Sequence, residues 1–174
     1  DATVPLSPYG ATKLLSEQLI TSVGGAEKIS HISLRYFNVI GSAIPEFGDN
    51  SKENLVPKVF SALKSGNRPE IYGESYPTPD GSCIRDHIHV MDLAEAHVQA
   101  LERLLKQKQV SEVEVFNLGT GKGNSVLEVI KAFEQATGVA VPHQIVARRP
   151  GDVVAVYADT QKASQVLGWS TKRD

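Results

Sequence analysis

The chain has 174 residues, of which 41% are hydrophobic and 22% charged, with a formal net charge of −2. This is the balance of a globular domain, and it excludes several classes. No apolar run is long enough to cross a bilayer, no basic stripe suits nucleic acid, and the lone Cys83 rules out an internal disulfide. A single cysteine suits a reducing, cytoplasmic setting. The only methionine is Met91, and Asp1 to Ser7 lacks the basic end and apolar core of a secretory signal. The expectation is a chain entered partway through a fold.

In chain order, Ser7 and Pro8 read as an N-cap and first helical residue. The helix they open is expected to run to about Ile20 and to end at Gly24 and Gly25. Ile29 to Phe37 reads as a strand, followed by a loop with Gly41, Pro45 and Gly48. Leu55 to Leu63 predicts a helix closed by Gly66, and Glu70 to Tyr72 a short strand. Asp86 to Val90 predicts a strand, and Asp92 with Glu95 a capping box opening a helix to about Leu105. Val113 to Leu118 is a further strand, and Ser125 with Glu128 caps a helix to about Thr137. A strand over Gln144 to Ala147 and a helix from Asp159 to about Gly168 complete the pattern. Alternating strands and helices predict an α/β fold.

Tyr9 and Lys13 stand one helical turn apart on one face. A free phenol has a pKa of about 10, and a nearby ammonium stabilises its anion. Such a pair can take a proton from a sugar hydroxyl. Taken alone, the spacing reads rather as a surface tyrosine beside a solvated lysine, since a two-residue pattern recurs by chance. The motif here is Ser7-Pro8-Tyr9-Gly10-Ala11-Thr12-Lys13. Downstream stand Leu34-Arg35-Tyr36-Phe37-Asn38, Glu53-Asn54-Leu55, Thr78-Pro79-Asp80-Gly81, Ile84-Arg85-Asp86-His87-Ile88-His89-Val90, Phe116-Asn117-Leu118-Gly119-Thr120-Gly121 and Arg149-Pro150-Gly151-Asp152. In order and spacing the whole chain resembles the carboxyl-terminal portion of the UDP-glucose 4-epimerase family, among the extended short-chain dehydrogenases/reductases.

The resemblance implies a doubly wound, parallel-sheet NAD-binding (Rossmann) domain with a smaller mixed α/β substrate domain. Residues 1–40 would end the first, 41–83 belong to the second, 84–118 return to the first, and 119–174 close the substrate site. It implies Tyr9 as catalytic base and acid, with Lys13 as its partner and a contact to the nicotinamide ribose. Tyr36 and Phe37 would lie beside the nicotinamide of bound NAD. Asn38, Glu53, Asn54 and Leu55 would contact the substrate, the last three at a helix start that favours anions. Glu70, Ile71 and Tyr72 would flank the uracil. Arg85 and Arg149 would hold the diphosphate through their planar donor forks. Asp152 would accept a ribose hydroxyl, and Val156 would set the room for the sugar. The implied reaction interconverts UDP-galactose and UDP-glucose through a 4-keto intermediate, with a UDP-hexose as partner and a homodimer as the whole protein. The glycine-rich turn that grips NAD, a catalytic serine or threonine, and the last helix would lie outside this chain.

Alternatives on the same scaffold are a UDP-N-acetylglucosamine or UDP-pentose 4-epimerase and a nucleotide-sugar dehydratase. A non-catalytic nucleotide-sugar-binding fragment is the other class. Without the resemblance, Arg85 reads as the ion-pair partner of Asp86, and the aromatics as core residues. Gly119-Thr120-Gly121-Lys122-Gly123 follows a strand and precedes a helix, but its third glycine comes one residue early for a dinucleotide turn. It reads as a tight turn near the substrate. His87 and His89 lack third and fourth ligands at zinc-like spacing and read as packed histidines.

Overall fold

The computed structural model describes residues 3–51, 54–106 and 113–173. Helix α1 (Pro8–Glu27) opens as expected, with the Ser7 hydroxyl accepting from the Gly10 N–H at 3.1 Å. It does not end at Gly24 and Gly25. It runs on to Lys28, whose φ of 58° closes it. Gly24 serves packing instead: a Cβ there would stand 2.5 Å from His31 Nδ1. The strand expected over 29–37 forms over β1 (Ile32–Tyr36), and a second strand, β2 (Asn38–Ile40), follows where a loop was expected. Then come α2 (Leu55–Lys64) and β3 (Glu70–Tyr72), where expected.

The strand predicted over Asp86 to Val90 forms over His87–His89, and a further short strand precedes Asp86. β4 (Ile84–Arg85) and β5 (His87–His89) flank Asp86, and α3 (Val90–Lys106) starts at Val90. The capping box at Asp92 and Glu95 does not form, because Asp92 already lies inside the helix. The Met91 N–H is met by His89 Nδ1 at 3.1 Å instead. β6 (Glu114–Leu118) and β7 (Asn124–Ser125) lead to α4 (Val126–Thr137), where the Ser125–Glu128 capping box is complete. β8 (Gln144–Val146), β9 (Ala155–Val156) and a short π-helical turn (Ala163–Leu167) follow.

The α/β expectation holds, and most strand pairs are parallel. β1 pairs with β6, β2 with β5 and β3 with β8, all parallel. β4 lies between β7, antiparallel to it, and β9, parallel to it. Two apolar cores result. Ile88, Leu93, Ala96, Phe116, Leu118, Ala163 and Trp169 form the first. Val59, Ile71, Ile130 and Val141 form the second, beside the edge-on rings of Phe60 and Phe133. Ala163 and Trp169 therefore pack with the first core, although 119–174 was assigned to the substrate part. The cause is Asp92, fully buried at the start of α3. Its carboxylate accepts the N–H groups of Lys172 and Arg173, each at 3.0 Å, and pairs with the Arg173 guanidinium. Its carbonyl accepts the Trp169 indole N–H at 2.9 Å.

One residue ties the junction of β4 and β5 to the rest of the fold. Asp86 is fully buried at the break between β4 and β5. Its Oδ1 accepts the Thr120 N–H at 2.8 Å and the Thr120 hydroxyl at 2.7 Å. Its Oδ2 accepts the N–H groups of Gly121 and Ala158, both at 3.0 Å. Its backbone takes part too: the carbonyl accepts the Asn38 N–H at 3.0 Å, and the N–H donates to Val156 at 3.2 Å.

Two outcomes follow. Asp86→Asn turns an amide N–H₂ toward donors and should lower unfolding stability by at least about 3 kcal/mol, read by denaturant melts. At Asp92, burial opposes ionisation, but the Lys172 and Arg173 bonds outweigh it and hold the carboxyl below its ordinary value. A lowered folded pKa gives stability that is present above about pH 4 and lost as pH falls further. Acid melts of Asp92→Asn should show a flatter limb in that window.

Candidate active site

A cavity of about 1060 Å³ opens between β2, α2, β3 and the β4–β5 junction. Asn38, Asn54, Leu55, Glu70, Ile71, Tyr72, Arg85 and Arg149 line it, eight of the side chains singled out from the sequence. Alternation along the strands selects the β4–β5 face: Cys83, Arg85 and His87 line the cavity, while Asp86 and Ile88 are buried away from it. Asn38 lies opposite His87 in the β2–β5 register.

Arg85 does not pair with Asp86. Its guanidinium donates to the carbonyls of Ile84 at 2.7 Å and Val153 at 2.8 Å, and to Asp152 Oδ1 at 2.5 Å. Arg149 lies on the opposite side of that carboxylate, 3.4 Å from Oδ2, with its Cζ 4.5 Å above the Tyr72 ring. The Tyr72 hydroxyl donates to Glu70 at 2.9 Å. Asn54 caps α2 through its backbone only, and its side-chain N–H donates to Asp49 at 2.6 Å. Glu53 lies outside the described residues. Two guanidinium groups, Arg85 held by its neighbours and Arg149 more exposed, beside the start of α2 give the cavity a lining that suits an anion.

The other candidates lie outside the cavity lining. Tyr9 stands 71% exposed, and Lys13 Nζ is 5.2 Å above the centre of its ring, on the face of the phenol. Tyr36 is half exposed at the end of β1, and the Phe37 N–H donates to Leu118 at 3.3 Å. Asp152 and Val156 sit behind the arginines, Val156 opposite Arg85 in β9. The start of α1 reaches this group: Leu6 O is 3.6 Å from where a Cβ on Gly151 would be. The turn 119–123 does not fit a dinucleotide pyrophosphate, because Asp86 occupies its amides. A Cβ on Gly119 would be 2.8 Å from Ala158 Cβ, so glycine permits that approach.

Among the described residues no group of three or more His, Cys, Asp or Glu could hold a metal, and no helix is long and apolar enough to span a membrane. Two residues that read from the sequence as packing residues line the cavity. Cys83 is 5% exposed, and burial pushes its thiol up, which disfavours the thiolate. His87 has its Nδ1 buried without a partner. Period-two alternation from Arg85 was the signal that could have placed both.

The family profile described as GDP-mannose 4,6 dehydratase matches residues 1–174, and the chain belongs to that family. Within it, the chain is 47% identical over 174 residues to UDP-glucose 4-epimerase 3 of Oryza sativa subsp. japonica, covering 96% of this chain and 46% of that protein. It is 44% identical over 174 residues to a bifunctional UDP-glucose 4-epimerase and UDP-xylose 4-epimerase 3 of Arabidopsis thaliana, covering 96% and 49%. The crystal structure of UDP-glucose 4-epimerase from Bifidobacterium longum in complex with NAD+ and UDP matches with a TM-score of 0.90 at 42% identity, covering 100% of this chain and 52% of that one. The chain thus spans about half the length of the relatives it matches, and it shares their NAD-binding α/β fold.

Burial, opposed by the Asp86 charge, holds the His87 imidazole below its ordinary value. The unfolded chain then binds the proton first, so stability should decline as pH falls below about 6.5. An NMR titration should find the His87 midpoint below that of an ordinary histidine.

Proposed function

We propose that the whole protein is an NAD-dependent UDP-glucose 4-epimerase, interconverting UDP-galactose and UDP-glucose, to which this chain contributes the catalytic helix and the UDP-sugar cavity. One observation carries the reading. A single cavity gathers Asn38, Asn54, Leu55, the Glu70–Tyr72 strand, Arg85 and Arg149, the residues that the resemblance implies for a nucleotide sugar. The likeness to a relative crystallised with NAD+ and UDP supports it.

In this reading Arg85 and Arg149 hold the diphosphate, and Tyr72 and Ile71 flank the uracil. Asp152 accepts a ribose hydroxyl, and Val156 borders the sugar. Tyr9 takes the proton of the 4-hydroxyl, with the Lys13 ammonium supplying positive charge beside it. NAD, when bound near Tyr36 and Phe37, supplies the hydride acceptor and donor for the sugar C4. The 4-keto sugar turns about its tether to the diphosphate, and Tyr9 returns the proton on the other face. Loose contact of the hexose with a firm hold on the nucleotide is what such a turn requires.

The apolar side of α1 supports a larger assembly. Leu15 is 62% and Leu19 64% exposed, together with Ile20 and Val23. Burial by the rest of the protein or by a second copy, as a homodimer, would remove that surface from water. A reducing cytoplasmic setting and a place in galactose metabolism accompany the reading, in keeping with the free thiol of Cys83. A second reading, UDP-pentose epimerisation on the same site, is favoured by the bifunctional Arabidopsis relative.

Tyr9→Phe in the whole protein should lower turnover of UDP-galactose by about a thousandfold or more while leaving UDP affinity nearly unchanged. A variant with near-normal turnover would exclude Tyr9 as the base. The 174-residue chain by itself should show neither bound NAD in its absorbance spectrum nor epimerisation.

A further inference from the structure

Asp152 is shared by three donors. Arg85 holds Oδ1 at 2.5 Å, while Arg149 and the Tyr76 hydroxyl both approach Oδ2 at 3.4 Å. The last two contacts are long for hydrogen bonds. Tyr76 is 4% exposed and does not line the cavity. The Arg148 Cζ lies 3.8 Å above its ring. Gly73, with φ +85°, makes room for that stack: a Cβ there would be 2.5 Å from Arg148 Cγ and 2.8 Å from Tyr76 Cε2. Burial first, then the Asp152 charge, push the Tyr76 phenol above its ordinary value, so it remains a proton donor.

The two arginines are held unequally. The Arg85 side chain is 15% exposed and fixed by two carbonyls, whereas Arg149 is 54% exposed and its one ion pair is long. An incoming diphosphate therefore draws Arg149 away from Asp152 more readily than Arg85. A carboxylate oxygen has room for two donors, so even with a ribose hydroxyl on Asp152 the place that Arg149 leaves on Oδ2 needs filling, because a largely buried carboxylate short of donors is disfavoured.

We propose that Tyr76 is a positioning residue of the nucleotide-sugar clamp: its hydroxyl closes on Asp152 Oδ2 as Arg149 turns to the diphosphate, and so keeps Asp152 and Arg85 in place. The inference rests on Arg85 and Arg149 being the diphosphate ligands of the reading above. Tyr76 touches no substrate. It acts through Asp152 alone, and that dependence can be measured.

The test is a double-mutant cycle in the whole protein, with UDP as the probe in calorimetric titrations and a thermal melt of each variant. Phenylalanine keeps the ring under Arg148, so Tyr76→Phe should fold. It should weaken UDP binding by about fivefold to tenfold in the wild-type background. In the Asp152→Asn background the same change should have less than about a twofold effect. Equal effects in both backgrounds, or a lower melting temperature with unchanged UDP affinity, would show that Tyr76 only packs and would overturn the proposal. A wild-type protein that fails to bind UDP would remove the clamp reading as well, which separates the two failures.

Discussion

A buried carboxylate organises this chain. Asp86 collects the amides of Thr120, Gly121 and Ala158 and the Thr120 hydroxyl, joining three stretches distant in sequence. A glycine-rich turn of this kind is an anion-binding concavity. Here the anion is internal. By turning inward, the Asp86 side chain breaks the strand between β4 and β5 and leaves Arg85 and His87 on the cavity side. The same residue ties β2 and β9 to the junction through its backbone. Arg85 on the cavity side and the carboxylate that fills the turn are thus neighbours in the chain.

Around that point the work is divided. The first core carries β1, β6 and α3, with the carboxyl-terminal stretch pinned to Asp92. The second core carries α2, β3 and α4. The cavity opens between β2, α2, β3 and the β4–β5 junction, and its two arginines come from that junction and from the turn at Arg149. Tyr9 approaches from a third direction, on a helix whose start lies against Gly151. In the function proposed above, a firmly held nucleotide with the reacting hydroxyl at an open edge is the arrangement that a two-faced hydride exchange would need.

Much of this was legible in the residues. Capping signals placed α1 at Ser7 and α4 at Ser125, and alternation placed β3 and β6 within a residue or two. What failed did so for tertiary reasons. Gly24 reads locally as a stop but serves close packing on His31. Asp92 reads as a cap but anchors residues eighty positions later. Asp86 reads as a salt-bridge partner for its neighbour, because the amides that bind it are far along the chain. Of the candidate site, the residue types were visible, while their convergence on one cavity was not. Tyr76 gave no local signal, since its role depends on what lies above and beside it.

The most direct measurement is a crystal structure of the whole protein with UDP. The account predicts diphosphate oxygens within hydrogen-bond reach of both Arg85 and Arg149, with Asp86 still on the amides of Thr120, Gly121 and Ala158. A diphosphate seated in the 119–123 turn, with Asp86 displaced and the two arginines unengaged, would contradict it.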